Sequence, residues 1–367
     1  MSRHIMVNRS LEVGALDTQP RVEGASATVG TSGRIVAIAH HLPKQVLSND
    51  ALAAIYPGWP TDKILDKTGI ETRHIAGPDE TAVDLAEAAA RALFAQGRVG
   101  PDDIDYLLFC TQTPDHVLPT SACILQQRLG LRTDIGALDF NLGCSGFVYG
   151  LSLAQALIAS GQARRVLLLT ADTYSKLIHP MDRGVRSLFG DGAAATLIEA
   201  TETATPALGP FVFGTDGAGA GNLIVPAGGF RQPRTEATGV AHEDASGNLR
   251  SAEHLFMNGA AIMTFTLGAV PAAVDQLLTR AGAALEDFDA VVLHQASAFI
   301  LDRLRAKLAI PEDRFVVALR DRGNTVSSTI PMALEPLVRD GRARRVLLVG
   351  FGVGYSWAAA QALLGEP

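Results

Sequence analysis

Asp139-Phe-Asn-Leu-Gly-Cys144-Ser-Gly-Phe-Val-Tyr-Gly150 decides how the chain is read. An apolar run from Ile135 to Phe140 enters a glycine-flanked turn, Gly143-Cys-Ser-Gly146. Phe147, Leu151, Ala154 and Ile158 then recur at helical spacing. The pattern predicts a buried strand, a tight turn and a helix, with Cys144 at or near the helix N-terminus. Unpaired N–H groups and the positive end of the helix dipole favour a thiolate there. A lowered pKa and nucleophilic reactivity are therefore expected. The competing reading is a buried structural cysteine, the commoner fate of a free thiol.

Strand and helix patterns alternate on either side of this unit. Arg34–Ala39, Asp105–Cys110 and Arg165–Thr170 read as strands. Ser48 to Asp50 caps a helix through Ala54. Lys63–Thr68 reads as a helix stopped by Gly69, and Thr81 opens an amphipathic one. Met181–Arg186 reads as a polar loop. Continuous apolar strands between helices imply an α/β fold with largely buried sheets. Residues 1–33 are read as a loosely ordered extension, 34–205 as a first half, 206–255 as an excursion and 256–367 as a second half. Gly217, Gly219 and Gly221 lack the strand-to-helix context of a phosphate loop.

The two halves repeat. Arg164-Arg-Val-Leu-Leu-Leu169 recurs as Arg344-Arg-Val-Leu-Leu-Val349, and the strand ending at Cys110 recurs as the strand ending at His294. Cys144 precedes Arg165 by 165 − 144 = 21 residues, and Asn324 precedes Arg345 by 345 − 324 = 21. Both follow a glycine and open an apolar helix, so they occupy equivalent places in two copies of one unit. Sites in open α/β sheets gather at the carboxyl ends of strands. If the halves pack about a pseudo-twofold axis, Cys144, His294 and Asn324 converge. Taken singly, His294 and Asn324 would be a satisfied core histidine and a turn asparagine. A thiolate with one His, one Asn and no acidic partner suits acyl-thioester chemistry: Cys144 takes an acyl group, and His294 and Asn324 donate hydrogen bonds to a developing enolate.

Composition narrows the function classes. A net charge of −7 argues against a general nucleic-acid binder. Three cysteines without a framework spacing, and no signal-peptide pattern, suggest a reducing, cytoplasmic setting. No apolar run of membrane-spanning length is evident. The remaining histidines show no metal-ligand spacing, and no metal site is expected. Cys110 and Cys123 are expected in the core, Asp191 in a turn, and Arg73 in an ion pair.

At these residues the chain resembles the β-ketoacyl-acyl-carrier-protein synthase III family of the thiolase superfamily. The motifs are Gly69-Ile-Glu-Thr-Arg-His-Ile75, Thr113-Pro-Asp115, Gly143–Gly150, Asp182-Arg-Gly184, Phe189-Gly-Asp-Gly192, His294-Gln-Ala296, Gly323-Asn-Thr325 and Phe351-Gly352. The resemblance runs from about Arg34 to the C-terminus. It implies the thiolase fold, two pseudo-symmetric halves in five αβαβα layers, as a homodimer. It also implies acylation of Cys144, decarboxylation at His294 and Asn324, and an oxyanion hole from the N–H groups of Cys144 and Val353. No resident cofactor is implied; the substrates are acyl-CoA or the phosphopantetheine thioesters of an acyl carrier protein.

By resemblance the substrate path involves Lys63, Lys67, Thr68, Arg183, Leu118, Phe189, Met257, Gly259 and Phe299. Several depart from the family pattern. Lys63 stands where a tryptophan normally stacks adenine against the arginine matched by Arg183, although Trp59 is close in sequence. Phe299 replaces a basic residue linked to carrier docking, with Arg303 and Arg305 on the following helix. Leu118 replaces a common Phe and implies a roomier acyl pocket, and Val353 replaces a common Gly. These changes around an intact Cys-His-Asn set suggest a specialised rather than housekeeping substrate. Two alternatives are a synthase III-like acyltransferase that forms an ester or amide without decarboxylation, and a non-catalytic subunit of a heteromeric synthase.

Overall fold

The computed structural model describes residues 30–365. The expected N-terminal extension lies, up to residue 29, outside the described residues. Strand β1 (Gly30–His41) starts four residues before the expected strand, so residues 30–33 belong to the sheet. Then follow β2 (Gln45–Ser48), α1 (Asn49–Ile55), α2 (Thr61–Thr68), β3 (Thr72–Ile75), α3 (Ala82–Phe94), β4 (Tyr106–Cys110), α4 (Ser121–Arg128), β5 (Gly136–Phe140), α5 (Gly146–Ala159) and β6 (Arg165–Asp172). The expected polar loop carries a one-turn helix, α6 (Arg183–Arg186), capped by the Asp182 carboxylate. Next come β7 (Gly192–Thr203), β8 (Leu208–Thr215), β9 (Leu223–Ile224), α7 (Glu236–Gly239), β10 (His242–Glu243), β11 (Leu249–Arg250) and β12 (Phe256–Met257). The chain ends with α8 (Gly259–Ala281), β13 (Ala290–Leu293), α9 (Ala298–Lys307), α10 (Thr329–Asp340), β14 (Arg345–Gly352) and β15 (Ser356–Leu363).

The first sheet runs β1-β7-β6-β4-β5 and the second β8-β15-β14-β13. In the first sheet the parallel strands β5-β4-β6, and in the second the parallel pair β13-β14, adjoin an antiparallel ladder. The repeat extends to the hydrogen bonds. Asp105 Oδ2 accepts from the N–H groups of Arg164 and Arg165, both at 2.9 Å, and Asp289 Oδ2 accepts from Arg344 and Arg345, both at 2.8 Å. Strand alternation then builds the layers. Val166 and Leu168 of β6 and Val346 and Leu348 of β14 meet α5 and α10 in one central core. Leu167 and Leu169 face outward under α3 and α4, and Leu347 and Val349 under α8 and α9. The result is the five-layered αβαβα thiolase fold.

Several expectations need correction. Strand β8 was expected within the 206–255 excursion, but it forms the edge of the second sheet against β15. The excursion proper follows Thr215. The run ending at Phe140 is a half-exposed edge strand, with Leu138 41 % exposed, because among the described residues no strand flanks β5 on its outer side. Cys110 is buried as expected, whereas Cys123 is exposed on α4. Arg73 is fully buried yet meets no carboxylate among the described residues. Its guanidinium donates to Leu47 O, Asn49 Oδ1 and Ser187 O. Asp191 ties loops together, accepting from the N–H groups of Ala76 and Ser175. Among the described residues one helix, α8, is long and apolar enough to cross a membrane by length and composition alone, although no uninterrupted apolar run of that length occurs in it. Its Val270, Ala273, Val274 and Leu277 pack into the second half's core, although only 28 % of its most apolar stretch is buried.

Candidate active site

Cys144 sits in the turn between β5 and α5, one residue before the N-cap Ser145. The turn closes through Gly146 N–H to Gly143 O at 2.8 Å. It lies directly on β14 of the other half. A Cβ built on Gly352 would fall 2.8 Å from Cys144 Cβ and 3.0 Å from its Sγ, and one on Gly350 2.7 Å from Ser145 Cα. Only glycine at those two positions lets the strand approach the turn so closely. Ser145 and Ser356 bridge the same junction by a 2.6 Å hydroxyl contact. Cys144 is 5 % exposed and packs in an apolar cluster with Tyr174, Phe189 and Val326, against which Met257 and Val353 also lie.

His294 follows β13 and is buried. Its ring packs edge-on against Phe351, the neighbour of Gly352, at 5.4 Å between centroids. His294 and Cys144 are therefore held by adjacent residues of one strand. Asn324 N–H donates to Leu188 O at 2.9 Å, and its carbonyl accepts from Gly190 N–H at 3.1 Å, so the first half positions it. Its Oδ1 accepts from Val326 N–H at 2.9 Å, which turns Nδ2 towards His294 Nε2 at 3.5 Å. Val326 holds φ +55°, a costly conformation for a buried β-branched residue. The strain is retained where the Asn324 amide is aimed.

The protonation states follow from the surroundings. Burial pushes the Cys144 thiol well up, and the nearby Asp172 carboxylate adds to this. The lowered pKa expected from the helix terminus is thus corrected: the resting group is a thiol. Burial pushes His294 down to about 3, so its imidazole is neutral. Its tautomer is assigned from the network. The Thr329 hydroxyl donates to Val326 O at 3.1 Å and so accepts from His294 Nδ1, 2.7 Å away. The proton sits on Nδ1, and Nε2 presents a lone pair. In this resting state His294 Nε2 is a proton acceptor. Burial also raises Asp172 to about 7.

The other expected residues fall into groups. Lys67 Nζ, on α2, and Arg183 Cζ, on α6, lie 5.2 and 5.5 Å from the centroid of the Trp59 ring. The aromatic partner of Arg183 is Trp59, not a residue at position 63, where Lys63 is exposed on α2. Thr68 is buried, and its hydroxyl donates to Ile64 O at 2.7 Å and accepts from Ile70 N–H at 3.1 Å; it closes α2 instead of facing a ligand. Met257 and Gly259 line a cavity of about 400 Å³ with Asp182 and Arg250. Phe189 packs against Tyr174 in a tilted arrangement, 5.1 Å between ring centroids. Leu118 is 80 % exposed, and Phe299 carries the Arg303 guanidinium 5.1 Å from its ring. Sequence reading missed Thr329, Gly350 and Asp172; only the alternate glycines 350 and 352 carried a legible signal. Among the described residues no cluster of metal-ligating side chains occurs.

Two family descriptions match the chain. The 3-oxoacyl-[acyl-carrier-protein (ACP)] synthase III model covers residues 138–217, and its C-terminal companion covers 278–363. A β-ketoacyl-[acyl-carrier-protein] synthase III of Methylococcus capsulatus is 37 % identical over 331 residues, 89 % of this chain and 97 % of that protein. The chain belongs to the β-ketoacyl-acyl-carrier-protein synthase III family. A crystal structure of a 3-oxoacyl-(acyl-carrier-protein) synthase III superposes with a TM-score of 0.89 at 59 % identity, covering 91 % of this chain and all of that one. The priming β-ketosynthase of the R1128 polyketide pathway, another solved structure, gives 0.77 at 30 % identity, covering 94 % and 99 %. This synthase III relative is accordingly a condensing-enzyme family member of the acyltransferase class.

Proposed function

We propose that Cys144 takes an acyl group from a thioester and that His294 and Asn324 then drive decarboxylative condensation with a malonyl-type thioester. The observation that carries this is the neutral His294–Asn324 pair and the Cys144 thiol held on one β-strand end from opposite halves. In loading, the thiol attacks the thioester carbonyl as His294 Nε2 takes its proton, and the leaving thiolate receives that proton. The N–H groups of Cys144 and Val353 are assigned to the oxyanion. In condensation, the malonyl C–CO2 bond breaks and its electrons form an enolate, which receives a hydrogen bond from Asn324 Nδ2. Rotating the Thr329 hydroxyl towards Nδ1 allows the imidazole proton to reside on Nε2, giving a second donor. The carbanion attacks the acyl carbonyl, the C–S bond to Cys144 breaks as the β-ketoacyl thioester departs, and the released Cys144 thiolate takes a proton from solvent.

Substrates in this reading are acyl-CoA and acyl-carrier thioesters, and the primer is specialised, not the housekeeping one. Trp59, with Lys67 and Arg183 close to its ring, supplies an aromatic surface beside two cations, suited to a nucleotide-bearing donor. A homodimer accords with the exposed Leu138, Val117 and Leu118 beside β5. No resident cofactor or metal takes part, and the setting is cytoplasmic.

The test is intact-protein mass after incubation with acyl-CoA and acyl-carrier thioesters, followed by a malonyl-carrier chase. An adduct on wild type and none on Cys144→Ala, discharged with CO2 release, is expected. Discharge onto an alcohol or amine without CO2 would make the protein an acyltransferase instead. No adduct from any donor would overturn the reading in favour of a non-catalytic subunit.

A further inference from the structure

The cavity beside Val353, about 380 Å³, has two unlike walls. Leu177, Leu223 and Leu255 form an apolar one; Gln112, Asn141 and Tyr174 form a polar one. The polar wall is a connected chain. The Tyr174 hydroxyl donates to Gln112 Oε1 at 2.5 Å, and Gln112 Nε2 donates to Asn141 Oδ1 at 3.0 Å. Its middle member is fixed from below, because Gln112 N–H donates to the buried Asp172 Oδ1 at 2.8 Å. The wall also reaches the reacting position. A Cβ built on Gly143, the residue before Cys144, would lie 2.5 Å from Gln112 Oε1 and 2.9 Å from a Val353 methyl. Tyr174 shares the apolar cluster of Cys144.

This chain leaves unused capacity. Among the described residues, the Asn141 amide nitrogen and the second Gln112 amide hydrogen meet no protein acceptor, and Tyr174 Oη receives no donor. No charged side chain lines the cavity. We propose that this wall selects an acyl chain bearing a neutral oxygen substituent, a hydroxyl or keto group, near its thioester end. Such an oxygen accepts from the amide hydrogens, and a hydroxyl can also donate to Tyr174 Oη. A saturated chain would strip water from these groups and return no hydrogen bond. A carboxylate or ammonium would enter without a counter-charge. The inference rests on acylation of Cys144 and specifies its substrate class.

The experiment compares loading rates of butyryl, 3-hydroxybutyryl and acetoacetyl thioesters by time-resolved intact mass. Wild type should load an oxygenated acyl group at least ~10-fold faster than butyryl. Gln112→Met and Asn141→Leu should each bring that ratio towards one by slowing the oxygenated substrate. Equal rates in wild type, or a preference for butyryl, would overturn the inference while leaving acylation of Cys144 standing. So would a parallel loss with all three substrates in both variants at unchanged thermal midpoint, since that makes the wall structural. No adduct from any thioester overturns the acylation reading and this inference with it.

Discussion

The assigned protonation states make a sharp prediction about Cys144 reactivity. An ordinary thiol, with a pKa near 8.5, is roughly 3 % thiolate at pH 7. Burial and Asp172 act on Cys144 in the upward direction, and each pH unit of that shift removes another factor of about ten from the thiolate fraction. His294 supplies no compensating positive charge at rest, because it sits at about 3 and is neutral from about pH 6 to 9. A thiolate–imidazolium pair would give an alkylation rate that is flat between the two pKa values. A thiol beside a neutral imidazole gives a rate that climbs about tenfold per pH unit, with no plateau from about pH 6 to 9. The assay is iodoacetamide labelling across that range, read by peptide mass spectrometry. Cys123, exposed on α4, is an internal reference in the same chain. Cys144 should label at least ~10-fold more slowly than Cys123 at pH 7. Its rate, independent of access, should keep rising across the range, with a shallower slope near pH 7 where Asp172 loses its proton and pushes the thiol further up. A plateau between about pH 5 and 8, or faster labelling than Cys123 at neutral pH, would refute the assignment.

Three further outcomes follow from named contacts. Gly352→Ala drives a methyl into Cys144, and loading should fall about 100-fold with the chain still folded, measured by adduct formation and circular dichroism. Thr329→Val removes the acceptor of His294 Nδ1–H; loading should slow about tenfold, and Thr329→Ser should restore it, which a purely structural role for the methyl group would not produce. Arg73→Leu removes the donor from two buried acceptors and one half-buried one and should destabilise the protein by about 2–3 kcal/mol, read by denaturant unfolding. An unchanged midpoint would show that the network relaxes without cost.

Much of the architecture was legible because it depends on periodicity. The Arg-Arg strand repeat and the equal offsets of Cys144 and Asn324 put both residues in equivalent turns, and the hydrogen bonds of Asp105 and Asp289 show the same equivalence. What was not legible depends on surroundings supplied by distant chain. The thiol's protonation is set by burial under the other half, so a helix-terminus argument alone gives the wrong sign. Arg73 was expected in an ion pair because local sequence cannot reveal that three carbonyl-type oxygens surround it. Trp59 reaches Arg183 because α1 and α2 pack together, although the sequence position of the expected tryptophan holds Lys63. Strand β8 escaped because its partner β15 lies at the far end of the chain.

The glycine pair 350 and 352 has a consequence for how such a chain can change over time. By the repeat register, Asp172 occupies the place of Gly352, Cys110 that of His294, and Cys144 that of Asn324. Once one copy became the floor on which the other's reactive turn rests, the two copies ceased to be interchangeable. A mutation in either half is now judged by its effect on the other. The symmetry survives in the scaffold and is lost at the junction, so the halves are bound to co-evolve as one unit and cannot drift as independent modules.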